Sequence, residues 1–456
     1  MIGTSKLPRF PPLVAAKIND LSSSLFPTRW IRFNGTSSGR TCSNRTLRAL
    51  SPRERAESTK LYNGLVERAV IIEGARTAIG NFLGALSDVS TVDLGVIAAG
   101  EALRRSKVEP SQVDQLVFGH ARQAGNGPNT GRQVAYRSGL PEEVPGFNVN
   151  MACGSGVKAV QVAAADIALG NAEIVLAGGM ENMTRTPAIL DRMRRGYRMG
   201  DAPVLDGMYR DGFLDPLCGL TMGETAENLA RKYDIPREEQ DEFALASQRK
   251  AEAGRARRAK EIIAVEVPGP KGGATTFAED EHPRADTTME GLARLRPVFT
   301  EDGTVTAGNS SAITDGAAAL VVMSESRANA EGRQPLARIV AAASAGVDPA
   351  YMGIGVVPAV QKVLEKTGLS LSDFDVVEIN EAFAAQVLAV DRELKVDHDR
   401  LNPNGGAIAL GHPIGMTGAR IVLTTTYEMR EKGHALGLAA LCISGGMGMA
   451  MVLERV

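Results

Sequence analysis

Aromatic residues are scarce in this chain, 4% of 456 positions with a single tryptophan. That scarcity argues against a nucleic-acid surface built by stacking bases on rings. The four cysteines, Cys42, Cys153, Cys218 and Cys442, form no Cys-x-x-Cys pair and keep no regular spacing. A metal site or a disulfide framework is therefore not expected, and with no secretory signal the thiols are expected free in a reducing compartment. Long apolar runs are few. Residues 435–453 are nineteen positions without a charge, but Gly445, Gly446 and Gly448 divide them into two short halves. A buried β-hairpin fits that pattern better than a membrane span.

What is abundant is glycine, 49 residues, within a chain that is 44% hydrophobic. The length allows roughly two to four domains and a large core. The formal charge of −2 conceals an uneven distribution. Residues 1–50 hold eight Lys or Arg against the single acid Asp20, which leaves the rest of the chain at −9. An anionic ligand must then be met by local basic groups rather than by the overall field. The basic, Ser-rich, acid-poor leader resembles an organellar transit segment. A disordered extension, or a stretch upstream of a mis-assigned start, fits it equally, and residues 1–63 are read as outside the fold.

Ordered sequence begins with an apolar strand at 67–73, followed by an amphipathic helix at 91–104 and a strand at 115–119. Turn chemistry at Asn126-Gly127-Pro128-Asn129 precedes a helix through Tyr136. A helix at 155–169 and a strand at 173–179 complete a first α/β alternation. Between about 182 and 313 the charge density rises and two helices stand out, 225–233 and 236–260, as in an inserted surface domain. The α/β pattern then returns, with strands at 317–323, 338–345 and 376–380, a helix at 357–367, helices from Glu381 and from Gly405, and the closing hairpin. The second half rhymes with the first: the segment from Asp114 matches that from Asp375, and Asn148-x-Asn150 matches Asn402-x-Asn404.

Four short motifs carry reactive groups. In Asn148-Val149-Asn150-Met151-Ala152-Cys153-Gly154-Ser155-Gly156, a cysteine stands between a strand and a helix start, where free N–H groups favour thiolate. Gly154 and Gly156 keep bulk from the sulfur. A small buried cysteine at a strand–helix junction fits this segment just as well. Asn380-Glu381-Ala382-Phe383 ends a strand. Gly411-His412-Pro413-Ile414-Gly415 forms a loop bracketed by Gly405-Gly406 and Gly418, and Cys442-Ile443-Ser444-Gly445-Gly446 sits at the turn of the last hairpin. A cysteine with a histidine makes a nucleophile and base, a second cysteine adds a proton carrier, and an amide can orient a water or a carbonyl oxygen.

Taken in order over residues 67–456, these motifs resemble the thiolase family. Further similar stretches run from Gln123 to Gln133, Gly178 to Arg185, Met222 to Ala230, Leu295 to Phe299 and Thr306 to Ser311. The resemblance implies an α/β fold of five αβαβα layers made of two similar halves. It implies domains at 64–183, 184–313 (an inserted coenzyme A-binding loop domain), 314–332 (a return to the first half) and 333–456. It further implies acyl transfer through a Cys153 acyl-enzyme, with His412 as base, Cys442 as the acid and base at the carbanion, and Asn380 holding a water. The N–H groups of Cys153 and Ser444 would form a second oxyanion hole. Coenzyme A would lie near Arg284, Ser311, Met222, Phe299, Ala307 and Phe383. Coenzyme A and acyl-CoA are substrates in this reading, with no metal and no tightly bound cofactor, and a homodimer or homotetramer is implied.

Two departures from the family pattern stand out. Ser444 replaces a glycine two residues after the second cysteine, which would restrict the backbone there. Thr221 stands where short-chain biosynthetic members have a histidine before Met-Gly. The expected reaction is cleavage of 3-ketoacyl-CoA to acetyl-CoA and a shortened acyl-CoA, with acetoacetyl-CoA formation as the alternative and a non-catalytic acyl-CoA-binding homologue as a remoter one. A ketoacyl synthase would need two histidines at the cysteine, and of the five only His412 is glycine-framed. A cysteine hydrolase would leave the Cys442 and Asn380 motifs without a purpose. A cytoplasmic protein is expected, or a mitochondrial-matrix one if residues 1–50 are a transit segment.

Overall fold

Most strands of the central sheet are buried on both faces, which is why their sequences run apolar without alternating. The computed structural model describes residues 66–269 and 273–456; Cys42 and the leader assigned to residues 1–63 lie outside the described residues. In order, the main elements are β1 (Ala69–Thr77), α1 (Thr91–Ser106), β2 (Gln115–Gly119), α2 (Thr130–Arg137), β3 (Gly146–Val149), α3 (Ser155–Ala168) and β4 (Ile174–Asn182). There follow α4 (Met222–Lys232), α5 (Arg237–Ala253), β5 (Thr314–Ser324), β6 (Ala337–Gly346), α6 (Val356–Thr367), β7 (Val376–Ile379), α7 (Ala384–Leu394), α8 (Ile414–Lys432), β8 (Leu436–Ile443) and β9 (Met447–Glu454). The charge-free run at 435–453 is the hairpin β8–β9, every residue of which is wholly or partly buried.

The main strands lie in the order β7-β8-β9-β6-β1-β5-β4-β2-β3. The two halves join where β1 pairs with β6, through Val70–Arg338 and Ile71–Ala337 alone. On each side of that joint the topology repeats. β2 runs parallel to β4, which is antiparallel to β5, itself antiparallel to β1. In the same way β7 is parallel to β8, which is antiparallel to β9, itself antiparallel to β6. The rhyme at Asp114 and Asp375 belongs to this repeat. Asp114 accepts the N–H groups of Glu173 (2.7 Å) and Ile174 (2.9 Å), and Asp375 those of Ala435 (2.7 Å) and Leu436 (3.1 Å), so each carboxylate caps the start of the neighbouring strand.

Three hydrophobic clusters define five layers. One, between the halves, gathers Val157 and Val160 of α3 and Ile421 and Leu423 of α8 with Leu320 and Leu441 of the strands. α1 and α2 cover the outer face of the first half, and α6 and α7 that of the second. Helices α3 and α8 touch through glycines: a Cβ on Gly156 would strike the backbone of Ala419, and one on Gly418 the backbone of Val157. Gly156 therefore serves helix contact rather than access to the sulfur. Gly415 and Gly418 are helical, because α8 starts at Ile414, directly after Pro413. The helix expected from Gly405 is a single turn, Ala407–Leu410. The helix expected over 236–260 breaks at Gly254, and that expected from Glu381 begins at Ala384.

Candidate active site

Because α3 and α8 meet within their first turns, the residues just ahead of each helix are brought together. These are Cys153 and His412, at equivalent places in the two halves. Ala152 has φ 45°, a left-handed conformation unusual for a residue with a side chain. The turn around it is closed by Gly154 N–H to Met151 O (2.9 Å), Ser155 Oγ to Ala152 O (2.6 Å) and Met151 N–H to Ser155 Oγ (2.9 Å). This turn sets Cys153 among Ala121, Met183, Met208 and Ile414. Burial raises the Cys153 thiol above its ordinary range. The nearby backbone N–H of Ser444 and the charge of Arg122 act in the opposite sense.

His412 is buried, and its Nδ1 lies 2.7 Å from Thr417 Oγ1. Burial, followed by the charges of Arg420 and Arg122, lowers its pKa to about 3. Nε2 has no partner among the described residues. Cys442 is fully buried on β8, its thiol pushed far up by burial and next by the charge of Cys153. Asn380, at the end of β7, is 1% exposed, and neither amide atom has a partner among the described residues. A buried amide of that kind is suited to hold a water or a substrate oxygen.

Glu181, quoted in the sequence only as part of a run, ties this site together. Its carboxylate accepts the N–H groups of Ala121 (3.1 Å), Arg122 (3.0 Å) and Gly415 (2.9 Å), so it fixes the start of α8 and with it the His412 turn. Despite burial its pKa is held below the usual carboxylate value by His120, whose Nε2 lies 3.3 Å away, and by the charge of Arg122. Asp215 does the same for the hairpin, accepting Gly445 N–H at 2.8 Å. The positive φ values of that turn fall on Gly445 and Gly446 and not on Ser444. The side chain at 444 therefore meets no left-handed strain.

A cavity of about 670 Å³ opens onto this point, with Cys153, His412 and Ser444 in its wall. Met222, Arg284, Phe299, Ala307, Ser311 and Phe383 line the same cavity. Phe299 and Phe383 pack edge to face with centroids 6.0 Å apart. Met222 opens α4, capped by Thr221, whose N–H and hydroxyl both bind Glu224. Cys442 and Asn380 are not in the cavity wall.

The same fold recurs in known proteins. Residues 69–326 match the thiolase N-terminal domain and residues 333–455 the thiolase C-terminal domain. The chain belongs to the thiolase family. It is 52% identical over 394 residues to an acetyl-CoA acetyltransferase of Escherichia coli, covering 86% of this chain and 100% of that protein. Among solved structures, the acetyl-CoA acetyltransferase of Bacillus anthracis superposes with a TM-score of 0.83 at 45% identity, and human mitochondrial 3-ketoacyl-CoA thiolase with 0.83 at 41%. Each alignment covers 86% of this chain and 100% of the other. This thiolase has the mixed α/β fold expected from its motifs. Sequence reading missed Thr417, Asp215 and Arg122, none of which sits in a motif on its own; only the contacts around Cys153 and His412 single them out.

Proposed function

We propose that this chain transfers acyl groups to and from coenzyme A by a two-step covalent mechanism, cleaving 3-ketoacyl-CoA. The observation that carries the reading is the meeting of Cys153 and His412 at two helix starts, with Ser444 beside them in the wall of one cavity. His412 Nε2 takes the proton of Cys153 as the sulfur attacks the keto carbon. Oxygen charge that develops is met by His412 and by a water on Asn380. The bond between the α and keto carbons then breaks, its electron pair passes to the departing acetyl-CoA, and Cys442 protonates that carbanion. In the second step the Cys442 thiolate removes the proton of free coenzyme A. The new thiolate attacks the acyl-Cys153 thioester, whose oxygen is held by the N–H groups of Cys153 and Ser444. Cys153 leaves as thiolate and regains its proton from His412. Coenzyme A runs past Met222, Phe299, Ala307, Ser311 and Phe383, with Arg284 at a nucleotide phosphate.

The acetoacetyl-CoA-forming direction is the second reading, favoured by the names of the bacterial relatives; Thr221 in place of histidine favours the first. A homodimer or homotetramer and a place in lipid breakdown accompany the proposal. The protein is placed in the cytoplasm, or in the mitochondrial matrix should residues 1–50 direct it there. No helix among the described residues is long and apolar enough to cross a membrane. The test is loss of acetoacetyl-CoA and longer 3-ketoacyl-CoA absorbance on adding coenzyme A. The reading requires that loss and requires Cys153→Ala to abolish it. Absence of coenzyme A-dependent cleavage at every chain length would refute it.

A further inference from the structure

The mechanism above makes no use of Arg122, although this residue lines the cavity with Cys153. It follows β2 in the chain, and its side chain is 6% exposed with Nε buried and unpartnered. No carboxylate pairs with the guanidinium among the described residues. Glu181, which holds the main chain of Arg122, turns instead to His120 Nε2 at 3.3 Å. The guanidinium carbon lies 6.0 Å from the centroid of the Phe213 ring. Any side chain at position 212 would collide with it, so Gly212 leaves the room it occupies.

Its surroundings say which end of the cavity this is. Phe213, Met208 and Ala121 belong to the small apolar cluster that also holds Cys153. Met222, Phe299 and Phe383, proposed for coenzyme A, belong to a different cluster. Arg122 therefore stands on the sulfur's side, where an acyl chain is carried once it is transferred. A guanidinium keeps its charge in proteins. The Glu181 carboxylate acts on this one through space, but no acceptor is bonded to its buried Nε among the described residues, and a buried donor left unbonded is unfavourable. Its planar fork matches a carboxylate through two parallel hydrogen bonds. The missing partner is then sought in what the cavity binds.

We propose that Arg122 selects acyl-CoA substrates whose acyl chain ends in a carboxylate, that is, 3-ketodicarboxylyl-CoA thioesters. This rests on the thiolase reading above. The charge of Arg122 also favours the Cys153 thiolate, but an effect confined to the thiolate, or to coenzyme A, would bear equally on every acyl chain.

The experiment compares 3-ketohexanedioyl-CoA with 3-ketohexanoyl-CoA in coenzyme A-dependent cleavage by the full chain, with acetoacetyl-CoA alongside. The wild type is expected to favour the dicarboxylyl substrate in kcat/KM by at least about tenfold, the scale on which a site built to pair a polar group rejects its apolar analogue. In Arg122→Leu the ratio of the two kcat/KM values is expected to fall by at least about tenfold, and Arg122→Lys should restore part of it. A wild type that treats the two alike or prefers the hexanoyl substrate overturns the proposal whether or not the variants fold. So does a ratio unchanged in Arg122→Leu. Cleavage of acetoacetyl-CoA without dicarboxylyl preference refutes this inference alone, whereas cleavage of none of the three refutes the thiolase reading with it.

Discussion

Thr417 fixes the tautomer of His412. The threonine hydroxyl donates to Pro413 O at 2.9 Å, so its oxygen must accept from His412 Nδ1–H at 2.7 Å, and the lone pair is left on Nε2. Threonine one turn into α8 thus leaves the histidine ahead of the helix with the free lone pair that the proposed base requires. Thr417→Val should lower kcat by about ten- to a hundredfold, a part of what general-base catalysis contributes, with KM little changed. Thr417→Ser should keep most of the activity. Equal loss in both variants, or loss in KM alone, would count against the assignment.

Cys442 is assigned to the carbanion, and that separates it from Cys153 in partial reactions. A coenzyme A thiol ionises readily enough to exchange its proton with water when Cys442 is absent, whereas a carbanion is far too basic to leave without an acid. Cys442→Ala should therefore still exchange labelled coenzyme A into acetyl-CoA, while carbon–carbon cleavage falls by about a thousandfold. Parallel loss of both reactions would contradict the division of labour.

Burial keeps Cys153 a neutral thiol in the free enzyme, above its ordinary range, beside a histidine whose pKa is about 3. Inactivation of the free enzyme by iodoacetamide should then climb about tenfold per pH unit across roughly pH 7 to 9, following the thiolate fraction. A rate that levels off near neutrality would mean a resting thiolate–imidazolium pair.

His282, in the cavity wall, hydrogen-bonds Asn81 Oδ1 through Nδ1 (2.9 Å), and burial, with Arg284 next, depresses its pKa to about 4. Folded, it stays neutral where the unfolded chain takes up a proton. Its contribution to stability is present above pH 6.5 and is lost as pH falls toward 4. Relative to His282→Gln, the wild type should lose about 1.4 kcal/mol per pH unit over that window. Denaturant melts at several pH values check this; a constant difference would show that the depression is absent.

Much of this site can be read along the chain because its reactive groups sit in short glycine-framed motifs. Cys153, His412 and Cys442 stood out as candidates in that way, Asn380 as an amide at a strand end, and the hairpin behind residues 435–453 by its glycines. The bonds that hold them were not. Glu181 reaches Gly415 across 234 positions and Asp215 reaches Gly445 across 230, and no local pattern encodes a partner so distant. Gly156 and Gly418 misled for a related reason: a helix contact and a loop both call for glycine, and only the packing of α3 on α8 tells them apart. The concern over Ser444 resolves in the same terms, since the left-handed positions fall one and two residues later.

The most direct test of the account is a trapped intermediate. Mixing the enzyme with acetoacetyl-CoA without free coenzyme A, quenching in acid and mapping the peptides should show one acetyl group on the peptide that holds Cys153, lost again when coenzyme A is added. An acetyl group on another residue, or turnover that persists in Cys153→Ala, would contradict it.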